Sequence, residues 1–75
     1  MKFKVNICNY SGFEEAVRSC QSDVFWHEDN KKIIITPVIL KKLEAMYKQN
    51  RGIINLWIET KDQKDYFKLI FAACM

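Results

Sequence analysis

The middle of the chain is predicted to form a helix that begins at Thr36 and Pro37. Threonine is a good N-cap residue, and proline at the first helical position removes only an N–H that the helix leaves unbonded. Apolar side chains then recur at helical spacing until Gly52, which permits a left-handed C-cap. They are Ile39, Leu40, Leu43, Met46 and Tyr47. A helix here separates the segments on either side and favours a mixed α and β fold.

Two segments that flank this centre alternate apolar and polar residues, which is the pattern of half-buried strands. The inward side chains are Phe3, Val5 and Ile7 in the first segment and Ile54, Leu56 and Ile58 in the second. The second segment leaves Asn55, Trp57 and Glu59 on its outward side. Trp57 is therefore predicted to lie on the polar face of a sheet.

A helix and a hairpin are predicted between the first strand and the central helix. Ser11 and Glu14 have the spacing of a capping box, and apolar residues follow at helical intervals. Farther along, the apolar runs "DVFWH" and "KKIIIT" flank a polar turn in which Asn30 can adopt the left-handed conformation. One of Phe25 and Trp26 is expected to enter the core, and the alternation does not decide which.

The tail, residues 62–75, fits two structures. As a helix it is capped by Asp62, has Asp65 near its N-terminal dipole, and has a wide apolar arc. The arc comprises Phe67, Leu69, Ile70, Phe71 and Cys74. As a fifth strand it forms a second hairpin with "IINLWIE". The link without Gly or Asn and the pair Ala72 and Ala73 favour the helix.

The resulting order, strand, helix, strand, strand, helix, strand, is that of the ferredoxin-like split βαβ arrangement. We therefore predict a single α+β domain over residues 1–75, with a mainly antiparallel four-stranded sheet, helices on one face and a C-terminal helix. A chain of 75 residues needs a dense core, and 49% of the residues are hydrophobic.

The cysteines and the hydropathy indicate the compartment. Cys8, Cys20 and Cys74 are odd in number and widely spaced, which predicts reduced thiols and a cytoplasmic protein. The longest nearly apolar tract, "YFKLIFAACM", is too short to span a membrane. The small size and the richness in lysine and isoleucine also fit a phage-encoded protein.

Catalysis and metal binding have little support in the sequence. His27 is the only histidine, and neighbouring strand residues point to opposite faces, so Glu28 is not placed to orient it. The three scattered cysteines lack the spacing of a metal site. We expect no enzyme activity, no metal and no cofactor.

Nucleic-acid binding is the alternative function. The predicted helix over residues 37–51 has a basic face formed by Lys41, Lys42, Lys48 and Arg51. Such a face can follow phosphates, although ten of the twelve basic residues are lysine, which suits bidentate phosphate recognition less well than arginine.

Protein binding is the function that we expect. An exposed tryptophan is typical of the energetic centre of an interface, and Trp57 is the first candidate. The predicted contact residues are Trp57, Trp26, Phe25, Asn55 and Glu59. The short strand "VFWH" is a candidate edge for pairing with a partner strand, and self-association as a homodimer stays open. We therefore expect a small intracellular regulator, adaptor or inhibitor of another protein.

Overall fold

The computed structural model describes residues 1–73, which form four strands and three helices. In chain order they are β1 (Lys2–Ile7), α1 (Tyr10–Ser19), β2 (Phe25–Glu28), β3 (Lys31–Ile34), α2 (Pro37–Gln49), β4 (Ile54–Glu59) and α3 (Gln63–Ala73). The predicted order of elements is confirmed, and the tail is a helix and not a fifth strand. The expectations for Cys74 lie outside the described residues.

The ends of α2 follow the local chemistry that the sequence indicates. The side chain of Thr36 accepts a hydrogen bond from the main-chain N of Ile39, and Pro37 occupies the first turn. At the other end, Arg51 and Gly52 both have left-handed φ angles, 57° and 87°. The N–H of Gly52 returns to the carbonyl of Tyr47 at 2.9 Å, which closes a Schellman-type cap.

The start of α1 differs from the prediction. The N-cap is Asn9, whose side chain accepts a hydrogen bond from the main-chain N of Gly12 at 3.2 Å. Ser11 lies inside the helix, so the capping box predicted from Ser11 and Glu14 is wrong. Asn9 is itself a favoured N-cap residue, and the local pattern does not discriminate between the two positions.

The strands form one sheet in the order β1-β4-β2-β3, and all neighbours are antiparallel. The crossovers through α1 and α2 each join two strands of the same direction that have another strand between them, which is the split βαβ connection. The first and third strands are central in a ferredoxin-like sheet, but here they form the two edges. The ferredoxin-like prediction therefore holds for the order along the chain and not for the order within the sheet.

This strand order also changes which strands have a free side. β2, which contains most of the "VFWH" segment, lies between β4 and β3, so the prediction that it is an edge strand is wrong. The hairpin that joins β2 to β3 turns at Asp29 and Asn30, with φ angles of 49° and 65°. Positive φ at both central residues is the geometry of a type I′ turn, which matches the twist of the strands.

The core lies between one face of the sheet and the three helices. Trp26 is 2% exposed and belongs to this core, whereas Phe25 points to the other face. The buried apolar residues are Phe3, Val5, Ile7, Tyr10, Phe13, Ala16, Val24, Trp26, Leu40, Leu43, Ile54, Leu56, Ile58, Leu69 and Ala73. In the part of the chain that the structure describes, no helix covers the opposite face of the sheet.

Candidate functional site

The uncovered face of the sheet, called the open face below, is assembled from all four strands. Its side chains are Lys2, Lys4 and Asn6 from β1, Asn55, Trp57 and Glu59 from β4, Phe25 and His27 from β2, and Lys32 and Ile34 from β3. Residues paired across antiparallel strands lie on the same side of a sheet. The strand register thus brings together side chains that are far apart in the sequence.

Trp57 lies near the middle of the open face. Its strand, β4, has a neighbour on each side, and the residues paired with Trp57 are Lys4 on β1 and His27 on β2. The side chain is 48% exposed, although tryptophan is normally well buried. Half of a large aromatic surface is therefore available to a partner.

Two lysines lie against the aromatic rings of this face. The Nζ atom of Lys2 lies 5.5 Å from the centroid of the Trp57 ring, and the Nζ atom of Lys32 lies 4.4 Å from that of Phe25. Both distances are within the range of cation–π attraction. Each of these two aromatic rings thus has one lysine ammonium group beside it.

Glu59 is the acidic side chain of the open face. One of its carboxylate oxygens lies 2.8 Å from the Nζ of Lys32, and the other lies 2.8 Å from the Nε2 of His27. The hydrogen bond from Lys32, followed by the one with His27, lowers the pKa of Glu59 to about 2. Because the carboxylate of Glu59 is paired with neighbours within the face, Lys2 and Lys4 carry the exposed charge on the β1 side of the open face.

The side chain of His27 is not paired with the thiol of Cys20. Its partner is Glu59 on the open face, whereas Cys20 packs against the core on the helix side of the sheet. Burial, followed by the nearby Asp65, raises the pKa of the Cys20 thiol to about 11, so the thiol is protonated at neutral pH. Among residues 1–73, no group of three or more His, Cys, Asp or Glu side chains is arranged to hold a metal ion.

The structure brings together four of the five predicted contact residues. Trp57, Asn55, Phe25 and Glu59 share the open face. Trp26 does not join them, because strand alternation turns it toward the helices, where the Nζ of Lys42 lies 5.4 Å from its ring. Trp26 is therefore removed from the set of expected contact residues.

The basic residues of the alternative site are exposed but have no exposed aromatic ring near them on the helix. Lys41, Lys42, Lys48 and Arg51 all lie at the surface of α2 or in its C-terminal cap. The aromatic residue of α2, Tyr47, is partly buried and donates its hydroxyl to the main-chain oxygen of Cys8 at 2.7 Å. This helix offers positive charge without a platform on which a base can stack.

Sequence reasoning missed the basic half of the open face. Lys2, Lys4 and Lys32 come from the two edge strands, and the register places them on the same side as Trp57 and Phe25. The alternation of β1 does place Lys2 and Lys4 on its outward side. The alternation of apolar and polar residues does not reveal the order of the strands in the sheet. That order is needed to place these lysines beside the aromatic rings.

Comparisons with protein-family models, with curated proteins and with solved structures find no match to this chain. The geometry of the open face is therefore the basis on which a function can be proposed. Within residues 1–73, none of the helices combines the length and the apolar character that crossing a membrane requires.

Proposed function

We propose that this protein acts by binding another protein through its open face, and not by catalysis. The observation that carries the proposal is Trp57, which is 48% exposed on one of the two central strands, with no helix of residues 1–73 above it. Tryptophan is enriched among residues whose truncation weakens an interface most. Phe25 and Ile34 extend the apolar part of the surface, and polar side chains surround it. The proposal includes a role as regulator, adaptor or inhibitor in the cytoplasm.

The charge of the open face favours a partner with an acidic surface. Lys2 and Lys4 project from β1, and the only carboxylate among the strand residues of this face, Glu59, is already held by His27 and Lys32. Electrostatic complementarity accelerates association and excludes partners of like charge. We therefore expect acidic residues around the pocket or groove that receives Trp57.

Affinity capture from the native host, with and without nuclease, tests this proposal. The purified protein is the bait, and mass spectrometry identifies what is retained. We expect one stoichiometric protein with an acidic binding surface, captured equally well after nuclease treatment. Trp57→Ala is expected to abolish this capture without changing the circular dichroism spectrum.

The matched control is Val38→Ala. Val38 is 76% exposed on α2, outside the open face, so its truncation also removes an exposed apolar side chain. We expect Val38→Ala to retain the partner. Equal capture by Trp57→Ala and the unchanged protein overturns the proposal.

Single-stranded nucleic acid is the second candidate, and one observation favours it. Trp57 and Phe25 lie on the two central strands of the open face, and each has a lysine ammonium within reach of its ring. Aromatic platforms combined with positive charge are how many proteins bind single strands. For this candidate we propose the open face as the site, with the basic face of α2 as the alternative.

Titration with a labelled oligonucleotide separates these possibilities. Binding at the open face predicts a steep loss of affinity with added salt and a further loss when Lys2, Lys4 and Lys32 are changed to Gln. Binding by α2 predicts that Lys41, Lys42 and Lys48 matter instead. Absence of binding at low salt removes this candidate.

A further inference from the structure

The outer edge of β1 is a second surface, distinct from the ring of Trp57. β1 is an edge strand of six residues. The hydrogen bonds at its start show which of its residues point their N–H and C=O groups toward β4. Met1 and Thr60 exchange two main-chain hydrogen bonds, from the N-terminal amine of Met1 at 2.6 Å and from the N–H of Thr60 at 2.9 Å. In an antiparallel pair such bonded positions alternate with non-bonded ones. Phe3 and Val5 therefore direct their backbone groups toward β4.

The backbone groups of Lys2 and Lys4 consequently point away from β4, toward the outer edge. An edge of this kind is a template for an additional strand. At the other edge, β3, the ammonium group of Lys32 is engaged by Glu59. Of the two edges, β1 is the better acceptor.

The side chains around the β1 edge differ between the two faces of the sheet. On the open face, Lys2 and Lys4 are both exposed. On the helix face, a series of ring contacts leads from the edge strand to the surface. The ring centroids of Phe3 and Tyr66 are 4.6 Å apart, and those of Tyr66 and Phe67 are 5.2 Å apart. Phe67 is 44% exposed, so an apolar surface flanks the edge on this side.

We propose that the β1 edge accepts an extended segment of a partner protein as a fifth strand, with acidic side chains on the open face alternating with apolar side chains toward α3. The main chain of such a segment pairs with Lys2 and Lys4, and its acidic residues lie opposite their ammonium groups. Its apolar residues contact Tyr66 and Phe67. This inference does not depend on the binding role of Trp57.

The charges also disfavour a second copy of this chain as the occupant in the register centred on Lys4. If β1 paired antiparallel with another β1 centred on Lys4, the two Lys4 side chains would be directly opposite on the same face, with both Lys2 side chains close by. Like charges directly opposite each other destabilise a strand pair. A segment with acidic side chains at alternate positions is instead attracted to Lys2 and Lys4.

A synthetic peptide tests the proposal. The probe is an acetylated and amidated peptide of about seven residues in which glutamate alternates with valine, a typical strand length. Every second amide is N-methylated so that one edge of the peptide cannot pair, which prevents self-assembly. We expect saturable binding in an NMR titration, with the amide signals of Lys2 and Lys4 shifted and protected from hydrogen exchange. The control peptide has the same composition without alternation and is expected not to bind.

Proline substitutions locate the site. Lys4→Pro removes an N–H that points outward, so the pairing of β1 with β4 is kept while the peptide loses a hydrogen bond. We expect at least about a tenfold loss of affinity. The matched control is Lys32→Pro, which removes an outward N–H from the β3 edge and is expected to bind the peptide normally. Circular dichroism checks whether both variants are folded. If Lys4→Pro is unfolded, the amide shifts of the unchanged protein alone decide whether the peptide binds at the β1 edge.

Three results overturn the proposal: no binding at millimolar peptide, equal binding of the non-alternating peptide, or amide shifts confined to β3. The peptide titration reports on the amides of Lys2 and Lys4, whereas affinity capture with Trp57→Ala reports on the open face. Failure at the β1 edge is therefore distinguishable from failure of the proposed open-face function.

Discussion

The carboxylate of Asp65 accepts hydrogen bonds from the main-chain N–H of Ser22 at 3.1 Å. It also accepts from the main-chain N–H of Gln21 at 3.2 Å and from the hydroxyl of Ser22. Asp65 lies on α3 and is fully buried, so the helix at the end of the chain holds the loop between α1 and β2. That loop leads directly into the strand that bears Phe25 and His27.

Asp65→Asn is expected to destabilise the protein by about 1–3 kcal/mol at neutral pH, because an amide cannot accept all of these hydrogen bonds. The free energy of unfolding from urea denaturation measures the change. Asp23→Asn, an exposed acidic residue in the same loop, is the control and is expected to change it by less than about 0.5 kcal/mol. Equal effects of the two substitutions contradict the structural role of Asp65.

The ionisation of Asp65 is expected to make the free energy of unfolding depend on pH. Burial on its own raises the pKa of this carboxyl, but the hydrogen bonds from Ser22 and Gln21, with the charge of Lys68, hold it below its usual range. The stabilisation is therefore complete above the unfolded pKa of about 3.9 and is lost as pH falls through the lower folded pKa. Urea denaturation repeated at acidic pH should show a smaller further loss for Asp65→Asn than for the unchanged protein.

Glu59 offers a direct test of the charge arrangement on the open face. Its pKa of about 2 depends first on the hydrogen bond from Lys32 and next on the one with His27. Lys32→Gln is therefore expected to raise the pKa of Glu59 more than His27→Ala does. An NMR titration of the side-chain carboxyl carbon measures both shifts. A larger shift from His27→Ala would contradict the conclusion that Lys32 lowers the pKa of Glu59 more than His27 does.

Arg51 is predicted to cost stability because it is a non-glycine residue in the left-handed region, with φ at 57°. Arg51→Gly relieves this strain and is expected to stabilise the protein by about 0.5–1 kcal/mol. Thermal and urea denaturation measure the gain. Arg51→Ala removes the same charge but keeps the strain, and is therefore not expected to stabilise. A gain of equal size in both variants would assign the effect to charge.

The two tryptophans are predicted to differ sharply in what their removal costs. Trp26 is 2% exposed in the core, and Trp26→Ala is expected to destabilise by about 3–5 kcal/mol. Trp57→Ala removes a half-exposed ring and is expected to cost about 1 kcal/mol or less. Urea denaturation followed by circular dichroism compares the two. If Trp57→Ala lowers the free energy of unfolding as much as Trp26→Ala does, Trp57 is a structural residue and not a contact residue of a binding surface.

The sequence by itself determined the type and the order of the elements. Helical spacing after Thr36 and Pro37 predicts α2, and alternation predicts β1 and β4, because each pattern reflects the local geometry of its element. The same alternation turned Trp57 outward. These features depend on neighbours within a few residues along the chain, and such information is present in the sequence.

Only the tertiary structure decided which elements are neighbours. Pairing of β4 with both β1 and β2 made β1 an edge, buried Trp26 under the helices, and placed Phe25 with Trp57. The same long-range contacts joined Glu59 to His27 and Asp65 to Ser22. Hydrophobic burial fixes such pairings over the whole domain at once, so no local pattern in the chain encodes them.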